Sequence, residues 1–219
     1  MKTAIIIGAT GVTGAPLTQY LLDSDSYQQV IVFSRRELGF THEKLTTHLV
    51  NFDQPLKWCH LIQGDDLFSA MGTTKKQAGS EDAQYRVDYT YQANTIQHAA
   101  KNGVDRLFLV SSPGANAQSR FFYPRLKGEL DTFALQQGFN THVLFKPSLI
   151  VGDRKDNRLG EKIGTALLTP LCHLIPPLAR YRPIKGQQLA QAIAHCAETL
   201  SETGIHTLEL DAIFTCLPE

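Results

Sequence analysis

The chain has 219 residues, 42% of them hydrophobic, and its 21 lysines and arginines are balanced by 21 aspartates and glutamates. That length can bury one sizeable core, and the zero formal charge removes any electrostatic reason to expect nucleic acid or an acidic membrane surface as a partner. The cysteines, Cys59, Cys172, Cys196 and Cys216, are scattered with no CxxC pair. They read as free thiols in a reducing cytoplasm, with neither a metal centre nor a disulfide framework.

The chain runs straight into a strand. No signal-like segment precedes it and no apolar run reaches membrane-spanning length, so a cytoplasmic location is expected. Ala4, Ile5, Ile6 and Ile7 form a continuous, β-branched-rich run that suits a strand buried on both faces of a parallel sheet. Gly8-Ala9-Thr10-Gly11-Val12-Thr13-Gly14 follows, and then a helical apolar pattern at Leu17, Tyr20, Leu21 and Leu22. Strand, glycine turn and helix together make a phosphate cradle. The helix N-terminus offers unpaired N–H groups and partial positive charge, and glycine lets the backbone approach a pyrophosphate. The spacing is GxxGxxG rather than GxGxxG, so the context carries the assignment to a dinucleotide.

A second strand, Val30–Phe33, ends at Ser34-Arg35-Arg36. In dinucleotide-binding sheets a carboxylate near this position bonds the adenosine ribose and selects NAD. A small hydroxyl and two guanidinium groups suit a 2′-phosphate instead, which favours NADP(H) over NAD(H). The competing reading is two solvated surface arginines beside Glu37. His48–Asp53 reads as a third strand with a polar end. Asp53 either lies near an adenine edge or caps a turn at Gln54-Pro55. Asp66–Met71 is the expected fourth strand, ending at Gly72-Thr73-Thr74, and Lys75–Ser80 a polar loop. Ser80, Glu81 and Asp82 open a long helix over 81–101.

The fifth strand spans Val104–Val110 and runs into Ser111-Ser112-Pro113-Gly114. After a loop comes a helix with Tyr123-Pro124-Arg125-Leu126-Lys127-Gly128-Glu129-Leu130, then a sixth strand, His142–Phe145, and Lys146-Pro147-Ser148. Gly152–Gly160 is loop-like and charged, a helix broken near Pro170 covers Ile163–Ile175, and Pro176-Pro177 stops it. Gln187–Leu200 is an amphipathic helix and His206–Leu210 a last strand. Alternating strands and helices, without repeats, specify an α/β fold: a single-domain, Rossmann-like, doubly wound parallel sheet with a small C-terminal extension. Residues 1–219 form one domain, with the cofactor part over about 1–150 and substrate-side elements over about 151–219.

Ligands of such sheets sit at the carboxyl ends of the strands. Tyr123 and Lys127 are spaced i, i+4 on a helix, so both can address one pocket, and an ammonium there would favour the phenolate and make Tyr123 a general acid or base. Ser112 would bond a substrate carbonyl. Lys127 could instead pair with Asp131 one turn on. A second YxxxK, Tyr181–Lys185, carries Pro183 in its middle and reads as a loop.

Taken together, Gly8–Gly14, Ser34-Arg35-Arg36, Gly72-Thr73-Thr74, Val110-Ser111-Ser112, Tyr123–Glu129 and Lys146-Pro147-Ser148 resemble the atypical short-chain dehydrogenase/reductases. The nearest branch is the NAD(P)H-binding group of the Tat-interacting oxidoreductase and its bacterial homologues. The resemblance implies NADP(H) in a Rossmann fold. It implies a cofactor site of Gly8, Thr10, Gly11, Val12, Thr13, Gly14, Ser34, Arg35, Arg36, Asp53, Gly72, Thr73, Thr74 and Pro147, and a catalytic set of Ser112, Tyr123 and Lys127. Two departures stand out: lysine (Lys146) precedes Pro-Ser where the family commonly has arginine, and proline follows the tyrosine. Two functions lead, an oxidoreductase acting on a small carbonyl or alcohol, and a regulatory or redox-sensing protein that holds NADP(H), engages a protein partner and turns nothing over; a third, a sugar-nucleotide epimerase, uses the same machinery, but the chain is short for the substrate lobe those enzymes carry.

Overall fold

The computed structural model describes residues 1–152 and 180–218. The charged loop after Gly152, the helix expected over 163–175, Pro170, Pro176, Pro177, Cys172 and His173 lie outside the described residues.

Seven strands form one sheet. They are β1 (Lys2–Ile7), β2 (Tyr27–Ser34), β3 (Leu45–Leu49), β4 (Asp66–Ser69), β5 (Arg106–Val110), β6 (Thr141–Lys146) and, last in the chain, β9 (Gly204–Glu209). The order is β3-β2-β1-β4-β5-β6-β9 and every pairing is parallel. A pair of two-residue strands, β7 (Ile150–Val151) and β8 (Ile184–Lys185), stands apart. The helices are α1 (Gly14–Asp23), α2 (Lys75–Ala78), α3 (Glu81–Tyr85), α4 (Tyr91–Lys101), α5 (Phe122–Leu135) and α6 (Gly186–Thr199), with a π-helical turn, Arg86–Thr90, joining α3 to α4.

The period of two in each strand sorts residues between two cores. From β1, Ala4 and Ile6 face a core shared with Leu17 and Leu21 of α1 and Leu189 and Ile193 of α6. Ile5 and Ile7 face the opposite core, with Ile96 of α4 and Leu130 of α5. All four β1 residues are fully buried. Such burial is worth roughly 1.5–3 kcal/mol per large aliphatic side chain before chain entropy is opposed, which explains why this short run organises the sheet. Phe68 of β4 stacks on Phe108 of β5 with ring centroids 4.8 Å apart.

Several boundaries differ from the sequence expectations. The third strand is Leu45–Leu49, starting three residues and ending four residues earlier than expected, because register with β2 runs from Val30↔Leu45 to Ser34↔Leu49. Beyond it the Asn51 side chain accepts the Asp53 N–H at 2.9 Å and turns the chain. Strand β4 ends at Ser69, and Ala70 and Met71 are not in it. The Lys75–Ser80 loop holds one helical turn, capped by Thr74 and ended at Gly79 with φ +93°. The Tyr181–Lys185 segment is not wholly a loop, since Ile184 and Lys185 pair with β7. Though scattered in sequence, two of the cysteines meet in space: the Cys196 and Cys216 thiols share a hydrogen bond.

At the N-terminal ends of the strands lies a buried polar group that sequence reading missed. Arg106 donates to both carboxylate oxygens of Asp66 at 2.6 Å each, and the Tyr27 hydroxyl donates to the same carboxylate at 2.5 Å. Arg106 also donates to the carbonyls of Ala197 (2.8 Å) and Leu200 (3.2 Å), tying the end of α6 to the sheet.

Candidate functional site

The glycine turn sits where β1 hands over to α1. Gly8 has φ +86°, and a Cβ on it would lie 2.5 Å from the Ala70 backbone. A Cβ on Gly14 would lie 2.1 Å from the Gly8 carbonyl oxygen. The turn therefore closes on itself, with the Gly11 N–H donating to the Gly8 carbonyl at 2.9 Å. Thr10 and Gly11 are exposed, Thr13 is buried, and no side chain caps the α1 N-terminus. The Ala15 N–H donates to the Gly11 carbonyl at 3.0 Å and Pro16 has no N–H, so among the first helical residues the Gly14 N–H is the one left to an anion, and the lack of room for side chains lets the backbone reach it. This cradle fits a dinucleotide pyrophosphate.

Val12 does something the motif does not announce. A Cβ on Gly152 would come within 2.4 Å of its Cγ1, and one on Gly186 within 2.3 Å. The middle of the turn is wedged between the end of β7 and the start of α6. No periodicity marks Gly152 or Gly186 as partners of Val12, because the contact spans more than 130 residues of chain.

The β2 end and the region around Asp53 make the next corner. Ser34 is buried and its Oγ accepts the Arg36 N–H at 3.3 Å, while Arg35 and Arg36 are exposed. Asp53 accepts the Tyr91 hydroxyl at 2.9 Å rather than capping the turn that follows it. Burial raises the Tyr91 phenol pKa, the Asp53 contact raises it further, and Arg86 and Arg35 act in the opposite direction. Arg35 and Arg86 therefore flank the same corner. Arg86 escaped sequence reading because it lies inside an ordinary-looking helical stretch. A cavity of about 310 Å³ opens here, lined by Phe52, Asp53, Arg86, Tyr91 and Asn94 among others. Ser112, Tyr123 and Lys127 do not line it.

The ends of β4 and β5 carry the remaining candidates. Gly72 and Thr73 lie on Asp88 of the π turn: the Thr73 N–H donates to Asp88 Oδ1 at 2.9 Å, and a Cβ on Gly72 would stand 3.2 Å from that oxygen. Thr74 caps α2. Pro147 is buried just past β6. Ser111 is buried and its Oγ has no hydrogen-bond partner among the described residues. Ser112 is partly exposed, its Oγ donating to the Pro113 carbonyl at 3.3 Å.

Tyr123 and Lys127 share α5, and Pro124 sits in its first turn, where no intrahelical N–H is owed. Their environments differ. Tyr123 is 44% exposed, Lys127 only 4%. Lys127 Nζ donates to the Val110 carbonyl at 2.8 Å, which brings it to the carboxyl end of β5. Burial pushes its ammonium pKa down, and the Asp88 and Asp131 carboxylates oppose that. The alternative pairing of Lys127 with Asp131 is not formed as an ion pair: Asp131 Oδ2 stands 3.2 Å from Lys146 Nζ.

A family model described as NAD(P)H-binding matches residues 8–138, which spans the glycine turn, the Asp53 corner and the Tyr123–Lys127 helix. The chain belongs to this NAD(P)H-binding family. Within it, the chain is 32% identical over 162 residues to the protein named FMP52, mitochondrial, of Candida glabrata, covering 73% of this chain and 68% of that one. It is 32% identical over 164 residues to the protein HTATIP2 of Rattus norvegicus, covering 73% and 67%. The latter meets the resemblance read from the motifs. Among solved structures, the Bordetella bronchiseptica enzyme WbmH in complex with NAD+ superposes with a TM-score of 0.70, at 17% identity, over 95% of this chain and 75% of that one. A UDP-glucose 4-epimerase of Thermotoga maritima, solved with UDP-glucose, gives 0.67 at 12% identity over 94% and 76%. At those identities the likeness concerns the fold. The name of the fungal relative carries a mitochondrial location, so it lends no support to the cytoplasmic one expected from the sequence. Among the described residues no helix is long and apolar enough to cross a membrane.

Proposed function

We propose that this NAD(P)H-binding protein is an NADP(H)-dependent oxidoreductase of the short-chain dehydrogenase/reductase type, acting on a small carbonyl or alcohol. The observation that carries the reading is Lys127: a lysine buried to 4% exposure, on the helix of Tyr123, with its ammonium drawn to the carboxyl end of β5. A cation is retained in such a place only for strong local reason, because burying a charge is costly. The bound nicotinamide supplies or accepts the hydride. Lys127 holds the nucleotide and favours the Tyr123 phenolate, Tyr123 gives or takes the proton at the substrate oxygen, and Ser112 orients that oxygen. Arg35, with no carboxylate at the tip of β2, favours the 2′-phosphate and hence NADP(H).

Tyr123→Phe should abolish turnover over a panel of carbonyl compounds and leave the NADPH affinity near that of wild type; unchanged turnover would remove Tyr123 from the chemistry. Calorimetry with NADPH and NADH, on wild type and Arg35→Ala, tests the cofactor preference, and equal affinities in wild type would defeat it. The exposed position of Tyr123 supports a second reading, in which the protein binds NADP(H) and a partner protein without turnover. In that case wild type binds NADPH and oxidises none of it over the same panel.

A further inference from the structure

At the end of α6 away from the glycine turn, two cysteines meet that the proposed chemistry does not use. Cys196 lies near the C-terminus of the helix, 7% exposed, beside the Ala197 and Leu200 carbonyls that Arg106 holds. Cys216 ends the 3-10 segment Leu210–Cys216, is half-buried, and packs on the same core as Cys196. Both thiols are free, and they share a hydrogen bond. The chain between them leaves α6 at Leu200, forms β9 at the edge of the sheet and comes back to lie along α6.

The returning segment is a strap. It begins at Leu210, whose φ of +55° puts a leucine in the left-handed region that glycine favours. Ile213 anchors it in the core, while Asp211 and Thr215 face solvent. Phe214 lies against the Arg182 guanidinium, 3.7 Å from ring centroid to Cζ, and the Arg182 carbonyl accepts the Ser148 hydroxyl. The middle of the strap thus reaches the residues that follow β6, and its end rests on Cys196.

The two sulfurs are not equivalent. Cys196 is the deeper one and donates; its contact with Cys216 and its burial both push its thiol up. Cys216 accepts, is the more accessible, and is held down to about 7 by that same contact. An accessible sulfur that carries the thiolate is the one an oxidant attacks, and a thiol in contact with it is placed to resolve the product.

We propose that Cys216 is an oxidation site for peroxides, with Cys196 as its resolving thiol, and that the disulfide they form fastens the strap to α6. In the first step the Cys216 thiolate attacks one oxygen of hydrogen peroxide. An S–O bond forms, the O–O bond breaks, and the departing hydroxide takes a proton to become water, leaving Cys216 as the sulfenic acid. In the second step the Cys196 sulfur gives up its proton and attacks the Cys216 sulfur. The S–S bond forms, the S–O bond breaks, and hydroxide leaves with that proton as water. Two thiols lose two electrons in all, and the peroxide is reduced to two waters. The inference stands independently of the proposed function, since neither cysteine belongs to the nucleotide site.

The test exposes the reduced full chain to a small molar excess of hydrogen peroxide at neutral pH, blocks the remaining thiols with iodoacetamide, and maps the peptides by mass spectrometry without reduction. Cys196 and Cys216 should disappear in step, ahead of Cys59, and reappear as one cross-linked peptide pair within a monomer that dithiothreitol opens again. Cys196→Ala should stop at the sulfenic acid, trapped on Cys216 by dimedone, and Cys216→Ala should leave Cys196 a thiol under the same exposure. The urea midpoint of oxidised wild type should lie about 1 M above that of the reduced protein, because the bond closes the chain between the two cysteines into a loop. Cys216 joined to another cysteine or to a second copy of the chain, or oxidised while Cys196 stays a thiol, overturns the site. The wild-type map alone decides this if either variant fails to fold. A midpoint that is unmoved or lowered in the cross-linked protein overturns the fastening.

Discussion

Replacing Arg106 with methionine is the most informative single perturbation of the scaffold. The substitution keeps most of the side-chain volume and removes the guanidinium. Asp66, fully buried, would lose two charge-assisted hydrogen bonds of 2.6 Å and keep only the Tyr27 hydroxyl at 2.5 Å. The carbonyls of Ala197 and Leu200 would lose their donor from Arg106. Breaking a buried ion pair from one side costs about 3–5 kcal/mol, chiefly because the remaining charge has no counter-charge. Against a typical domain stability of about 5–15 kcal/mol, that is a third or more of the whole. Trp58 is the sole tryptophan and packs between Phe33 and Phe52, so its fluorescence reports urea unfolding. The midpoint should fall sharply, and Asp66→Leu combined with Arg106→Met should recover a large part of the loss. A drop below about 1 kcal/mol in the single variant would refute the assignment of Arg106 as the partner that makes Asp66 tolerable, since that is the range of an exposed pair.

Gly14→Ala forces a Cβ to within 2.1 Å of the Gly8 carbonyl oxygen, a backbone atom that no rotamer change can move aside. Strain of about 1–3 kcal/mol in the turn predicts a loss of roughly ten- to a hundredfold in NADPH affinity by calorimetry, and affinity near wild type would contradict the cradle. Cys216 is a separate chemical test. A hydrogen bond from the Cys196 thiol holds its pKa down to about 7, with Cys196 pushed up in exchange and by burial. Alkylation of Cys216 by iodoacetamide, followed by peptide mass spectrometry, should therefore be half-maximal near neutral pH, and Cys196→Ala should move that midpoint up toward the ordinary thiol range of about 8.5.

The five inner strands of the sheet were legible because they are short, largely apolar and mostly buried on both faces, a pattern that local sequence carries by itself. Tyr27 at the start of β2 and Arg106 at the start of β5 were less legible: a polar residue at the end of an apolar run reads as a boundary, and only the pairing across β4 reveals that both meet Asp66. The third strand was misplaced for a related reason. At a sheet edge, burial does not mark the limits, and the register with β2 decides them. At the site, glycine spacing and the Tyr123–Lys127 step were visible because each is local. Arg86 and the partners of Val12 were not, since their roles depend on a π turn and on chain segments far apart in sequence.

Val12 also sets an order on how the protein is made. The glycine turn is among the first residues to be synthesised, yet two of the surfaces that clasp Val12, at Gly152 and Gly186, arrive only in the last third of the chain. A chain stopped short of Gly186 can still pair β1 with β2 and β4, but its turn lacks one jaw of the clamp. Nucleotide affinity should accordingly register the completion of the polypeptide, rising only once α6 has docked, so that a bound NAD(P)H would act as a late fastener of the fold rather than as a template for its beginning.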